Sequence, residues 1–229
     1  MILSLLIPTL DARRGLFAAL HAALTEQIRE GGWDSEVEIL SLTDSGDHSV
    51  GWKRNQLIAR ASGLFVAFID DDDTVSADYV SRISTTIREN PDIDCIGIRG
   101  QITFRGRHPR EFIHSVRYPD YFSVRHTYFR PPYHLNPIRR EIAARYRFPD
   151  VSYSEDIDWA MQMQRDGALR SEVFLDAVVY HYRSRRAWIY QWLLDATESI
   201  RHRFGIRLAN RLPVQLAAQS LTRRGSRDT

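Results

Sequence analysis

Residues 51–73 read GWKRNQLIARASGLFVAFIDDDD, and the order of their parts decides the fold. From Ser49 to Ser62 the chain reads as a helix, with Gly63 as its stop. Leu64 to Ile69 is an apolar run too short for a typical helix, which predicts a buried strand. That strand runs straight into Asp70, Asp71, Asp72 and Asp73. Four adjacent carboxylates repel one another, and none is buried cheaply without a counterion. Placed after an apolar strand they suit a hard divalent cation, Mn²⁺ or Mg²⁺, bridging to a diphosphate and neutralising a leaving group. The plainer alternative is a solvated acidic loop in which Asp73 or Thr74 caps the next helix.

Reading outward, Met1 to Ile7 predicts a strand and Arg13 to Glu30 a helix ended by Gly31-Gly32. Glu36 to Leu42 alternates as a second strand, and Asp44 to Asp47 forms a turn. Downstream, Ser76 to Asn90 is a further helix. Such alternation predicts an α/β fold whose mainly parallel sheet is flanked by helices. Ligands bind such sheets at the carboxyl ends of the strands, which puts Asp44 and the aspartate run on one rim.

The second half is less regular. Asp94 to Phe104 reads as a strand with a turn at Arg105-Gly106, and Arg107 to Pro132 is rich in aromatics, arginine and histidine. Tyr133 to Ile138 reads as a strand, Arg139 to Tyr146 as a helix, Ser154 to Arg165 as a helix and Ser171 to Tyr182 as a strand. Ala187 to Phe204 and Val214 to Leu221 read as amphipathic helices.

The length of 229 residues, 43% of them hydrophobic, suits one sizeable core. No stretch approaches the ~20 apolar residues that span a bilayer. The N-terminus reads as a strand and not as a secretion signal. Cys95 is the one cysteine, which excludes a disulfide framework and a cysteine zinc site and suits a cytoplasmic setting. Lys53 is the only lysine among 31 basic residues, and from Arg183 onward ten arginines face three acids. Coding bias explains this, or else a surface facing phosphate or nucleic acid.

The segment 51–73, with Leu6-Ile7-Pro8-Thr9 and Asp44 to Ser49, resembles the family-2 glycosyltransferases of GT-A fold. The resemblance covers roughly Ile2 to Arg186. It implies a GT-A domain at 1–186, with a nucleotide-sugar half at 1–104 and an acceptor half at 105–186; residues 187–229, beyond the resemblance, read as a basic helical extension. It implies inverting transfer from a nucleotide diphosphate sugar, UDP-sugar being the commonest donor. Pro8, Thr9 and Asp44 would line the base site, with Lys53, Arg54 and Asn55 approaching the nucleotide. Asp70 would face the ribose and share the metal with Asp72, with Asp71 beside them; a run of four aspartates admits a one-residue slip.

In Tyr153-Ser154-Glu155-Asp156-Ile157-Asp158-Trp159 the resemblance makes Asp156 the general base, with Glu155 its partner. The alternative is an acidic first turn that suits the helix dipole. His181 is the further metal ligand the resemblance implies, and Arg183 a diphosphate clamp. His134, Asn136 and Trp159 are expected to face the acceptor.

A surface glycan or lipid-linked saccharide is the expected acceptor, with peripheral contact at the inner membrane face through the arginine-rich extension. A hydroxymethylated pyrimidine in DNA is the alternative. Nucleotidyl transfer and a silent Ca²⁺-binding module are the readings from other classes.

Overall fold

A computed structural model describes residues 1–184; the two expected C-terminal helices lie outside the described residues. In chain order the elements are β1 (Leu3–Leu10), α1 (Arg14–Gly31), β2 (Val37–Asp44), α2 (Val50–Arg60), β3 (Phe65–Phe68), β4 (Thr74–Val75) and α3 (Tyr79–Glu89). There follow β5 (Cys95–Phe104), β6 (Arg107–His114), β7 (Phe122–Val124), β8 (Thr127–Arg130), β9 (Ile138–Arg139), α4 (Arg140–Ala143), α5 (Glu155–Arg165) and β10 (Glu172–Ser184). A short 3-10 turn, Asp11–Arg13, joins β1 to α1.

The strands form one sheet in the order β2-β1-β3-β9-β5-β6-β8-β7, with β10 pairing β5 and β4. β1 runs parallel to β2 and β3, and β5 runs parallel to β10. β9 lies antiparallel between β3 and β5, so the two parallel groups point the same way. Their carboxyl ends share one rim, as the alternating pattern predicts. Alternation along β1 divides the core. Leu3, Leu5 and Ile7 pack with α1 and α3 on one face, whereas Leu6 packs with α2 and α5 on the other.

Local chemistry sets the helix ends. Gly32 closes α1 in the left-handed conformation at φ 67°, where a side chain is strained. The Ser49 side chain caps α2 by accepting the Trp52 amide. Gly51 lets α2 lie directly on the loop before α5. Its amide donates to the Val151 carbonyl at 3.0 Å, and a Cβ there would stand 1.8 Å from the Pro149 carbonyl oxygen. Gly51→Ala is therefore expected to destabilise the protein by about 3 kcal/mol through a clash with backbone. Urea unfolding reads this directly; a change within 0.5 kcal/mol would contradict the close approach.

Three expectations for the second half change. Residues 107–132 hold β6, β7 and β8, an arm whose turns carry no Asn-Gly or similar signal at Arg125-His126. Tyr133 to Ile138 is not a strand. The Asn136 side chain accepts the Tyr133 amide and donates to the Ile96 carbonyl, tying the segment into a turn that leaves only β9 paired. The helix expected at 139–146 contracts to α4. Among the described residues, no helix is long and apolar enough to cross a membrane.

Candidate functional site

The four aspartates divide by alternation. Asp71 and Asp73 are each 2% exposed and fully engaged. Asp71 accepts from the Thr9 hydroxyl and from Arg13, both at 2.7 Å. Asp73 accepts from the Tyr180 hydroxyl at 2.8 Å and from the Arg183 amide at 2.7 Å. Burial and the neighbouring Asp70 push the Asp73 carboxyl well above its usual range. Asp70 and Asp72 keep 23% and 22% of their side chains exposed and face the rim. Asp70 and Asp72 are thus the partly exposed pair of the run, the first beside Arg54 at 2.9 Å and the second beside Arg13 at 3.7 Å.

Beside them, at the end of β2, Asp44 is held by the Lys53 ammonium and by the amides of Gly46 and His48. Burial pushes this carboxyl up, but Lys53 and the two amides outweigh it and hold the pKa at about 2. Lys53 is buried and also donates to the Thr9 carbonyl at 2.7 Å, so it joins the ends of β1 and β2. Pro8, next to it on β1, is buried. The His48 ring stacks on Trp52 at 3.8 Å over this corner.

Arg54 reaches across the site from α2. It is 3% exposed, lies 2.9 Å from Asp70 and 3.7 Å from Glu155, and packs over Phe68 and Phe148. Burial pushes the Asp70 carboxyl up, but Arg54 and His134 outweigh it and hold the group well below its usual range. Glu155, at the start of α5, is 4% exposed. Burial raises its pKa to about 7; Arg54 opposes the shift and Asp156 adds to it.

The folded carboxyl thus binds its proton more tightly than the unfolded one, whose ordinary value is 4.5. Stability from this group is full below pH 4.5 and is lost as pH rises through about 7, a decline of about 3 kcal/mol. Unfolding at pH 5 and pH 8 should show this decline, and Glu155→Gln should flatten it. A variant whose pH dependence matches the wild type would refute the assignment.

His134 sits between the two acidic groups. It is 2% exposed, with Nε2 3.5 Å from Asp70 and Nδ1 3.4 Å from Asp156. The ring thus joins Arg54 in standing between the aspartate run and the acidic start of α5, and it is the one that reaches Asp156. Asp156 keeps 18% of its side chain exposed, facing the same rim.

Several expected site residues have other work. Trp159 is 1% exposed, stacks on Phe148 at 4.5 Å and donates to the Tyr146 carbonyl, so it is core and does not face an acceptor. Asn136 is 1% exposed, with its amide committed to backbone and to His114. Asn55 exchanges two bonds with the Phe148 backbone, at 2.8 and 3.0 Å, which clamps α2 to the loop before α5. His181 pairs with Thr74 on the face of β10 opposite Tyr180, whose hydroxyl meets Asp73. Arg183 holds Asp73 by its amide, while its side chain is exposed. Sequence reading passed over Arg13 and Tyr180; the place of Arg13 just beyond β1, on the rim, was the available signal.

A search of curated proteins finds no match. Among solved structures the chain is similar to S. aureus TarS residues 1–349 in complex with UDP-GlcNAc. That match has 18% identity and a TM-score of 0.55, and covers 82% of this chain and 60% of that one. It is also similar to TarS 1–349 in complex with UDP, at 14% identity and a TM-score of 0.56, covering 96% of this chain and 78% of that one. At such identities the likeness speaks for the fold. The profile of glycosyl transferase family 2 matches residues 22–153, more than half the chain. The matched stretch runs from α1 through the aspartate rim to the threshold of α5, and the chain belongs to glycosyl transferase family 2.

Proposed function

We propose that the chain transfers a sugar, with inversion, from a UDP-sugar to an acceptor hydroxyl, using Asp156 as general base. One observation carries this reading. The His134 ring spans the gap between Asp70, on the donor rim, and Asp156, so both carboxylates border one reaction space. In the reaction Asp156 takes the acceptor proton, the freed oxygen attacks the anomeric carbon, and the diphosphate leaves with the electron pair of the broken bond. Asp44, Thr9 and Lys53 fix the end of the site where the base would lie. The UDP and UDP-GlcNAc bound by the TarS structures support a uridine donor here.

The residues fit a divalent cation held mainly by substrate. Among the described residues, no group of three or more acidic, histidine or cysteine side chains converges on one point. Asp70 and Asp72 supply hard oxygen donors on an open rim, and diphosphate oxygens and water would complete a Mn²⁺ or Mg²⁺ shell. Bound there, the ion would offset charge on the departing diphosphate.

His134 acts through its neighbours. His134→Gln is expected to lower kcat by about ten- to a hundredfold through misplacement of Asp156, with the donor KM nearly unchanged. Equal kcat in the variant would remove His134 from the account. To test the function itself, the protein is incubated with UDP-, GDP- and TDP-sugars and Mn²⁺, and nucleoside diphosphate release is measured. Metal-dependent release from a UDP-sugar, lost in Asp72→Ala, is the predicted result. Release of pyrophosphate from a nucleoside triphosphate would instead support nucleotidyl transfer.

A further inference from the structure

The arm of β5 to β8 has basic tips. Segments 103–110 and 122–130 contain five arginines, two histidines and no acidic residue. The arm ends in two tight turns. Arg105-Gly106 joins β5 to β6 with φ of 51° and 75°, and Arg125-His126 joins β7 to β8 with φ of 47° and 72°. His108 is also left-handed, at φ 51°. Such turns favour Asn and Gly, and left-handed arginine is uncommon. The backbone strain places basic side chains at the tips, and Arg105, Arg107, His108, Arg125 and His126 are all exposed.

The sheet brings both tips to the donor rim. β6 and β8 are parallel, with Phe112 beside Tyr128, so their starting turns lie at the same end of the arm. β5 ends beside the end of β10; the Arg105 amide donates to the Ser184 carbonyl at 2.8 Å. One residue earlier, the Arg183 amide binds Asp73 at 2.7 Å. At about 3.3 Å per residue, the arm leaves the aspartate rim within roughly 10 Å of Asp73.

The arm's rings are not offered to a ligand. Phe122 and Phe129 stack at 5.1 Å, Tyr118 packs edge-on against both, and the Arg110 guanidinium binds the buried Tyr128 hydroxyl. Neutral sugars and unpaired bases are commonly held on exposed ring faces. Here charge stands at the tips and the rings pack beneath it. Guanidinium forks match carboxylate and phosphate groups.

We propose that this arm docks an anionic glycan acceptor, a chain of sugars bearing carboxylate or phosphate groups, and delivers its hydroxyl to Asp156. The proposal deepens the glycosyl-transfer reading and rests on it. The test uses the full chain and three probes of similar length: an oligogalacturonate, a neutral dextran oligomer and a DNA duplex. Binding is followed by titration at low and high salt, in the wild type and in a variant carrying Arg105→Gln, Arg107→Gln and Arg125→Gln. UDP affinity and melting temperature check that the variant is folded, and the corresponding triple lysine variant keeps the charge.

Oligogalacturonate is expected to bind in a salt-sensitive manner and dextran not to bind. The glutamine variant is expected to lose on the order of tenfold in affinity, and the lysine variant to retain most of it. Equal binding by wild type and glutamine variant, equal binding of dextran, no binding of oligogalacturonate, or tighter binding of DNA would each overturn the proposal. UDP titration on the same samples is independent of these outcomes. A protein that binds oligogalacturonate and not UDP would sink the donor reading and leave the arm's ligand class standing.

Discussion

Arg54→Met should destabilise the protein by about 3–5 kcal/mol, the largest stability effect expected from a single substitution in the site. Arg54 is buried and stands between Asp70 and Glu155, at 2.9 and 3.7 Å. Without it, Asp70 loses the leading influence that holds it ionised, and the half-buried Asp70 faces the buried Glu155 across an apolar side chain. The cost arises from the partners left behind and not from the lost attraction, because a buried pair contributes little net stability when intact. Two outcomes are separable by equilibrium unfolding at several pH values. The variant should be least stable at high pH and recover as the pH falls and the carboxyls take up protons. A loss below 1 kcal/mol, or one independent of pH, would show that the guanidinium does not compensate these charges.

Asp156→Asn should lower kcat by about 10²–10⁴-fold, the range expected when a general base is removed. The substitution is nearly isosteric, and Asp156 is partly exposed, so melting temperature and UDP affinity should stay close to wild type. That combination separates a base from a structural acid. If kcat falls only a fewfold, Glu155 or another group takes the proton. If UDP affinity collapses with it, Asp156 belongs to donor binding.

Much of this site is legible in the amino-acid sequence. The alternation of strands and helices through residue 90 follows from periodicity and from the stops at Gly31-Gly32, Gly63 and Asn90-Pro91, which are local signals. The aspartate run lies on the rim because the strand before it is short and apolar.

The roles within that run were not readable. What separates Asp71 and Asp73 from Asp70 and Asp72 is contact with Thr9, Arg13, Tyr180 and Arg183, between 58 and 110 residues away in sequence. Trp159 illustrates the opposite error. Its motif points to an acceptor, yet its place on α5 turns it onto Phe148 and into the core. Asn55 and Asn136 look like ligand contacts because amides are versatile, and both are consumed by backbone. His134 carried no motif of its own, and only the turn made by Asn136 sets it between Asp70 and Asp156. The arm escaped notice because its second turn uses Arg125-His126, where a glycine or asparagine would have marked it.

In the proposed reaction the rim formed by Asp44, Asp70 and Asp72 receives a uridine diphosphate with a divalent cation. Calorimetric titration of UDP into the protein, with and without Mn²⁺, tests it most directly, with Asp72→Ala as the comparison. Binding that needs Mn²⁺ and disappears in the variant is the expected result. UDP binding of equal strength in the presence and absence of Mn²⁺, or no binding by the wild type in either condition, would contradict it.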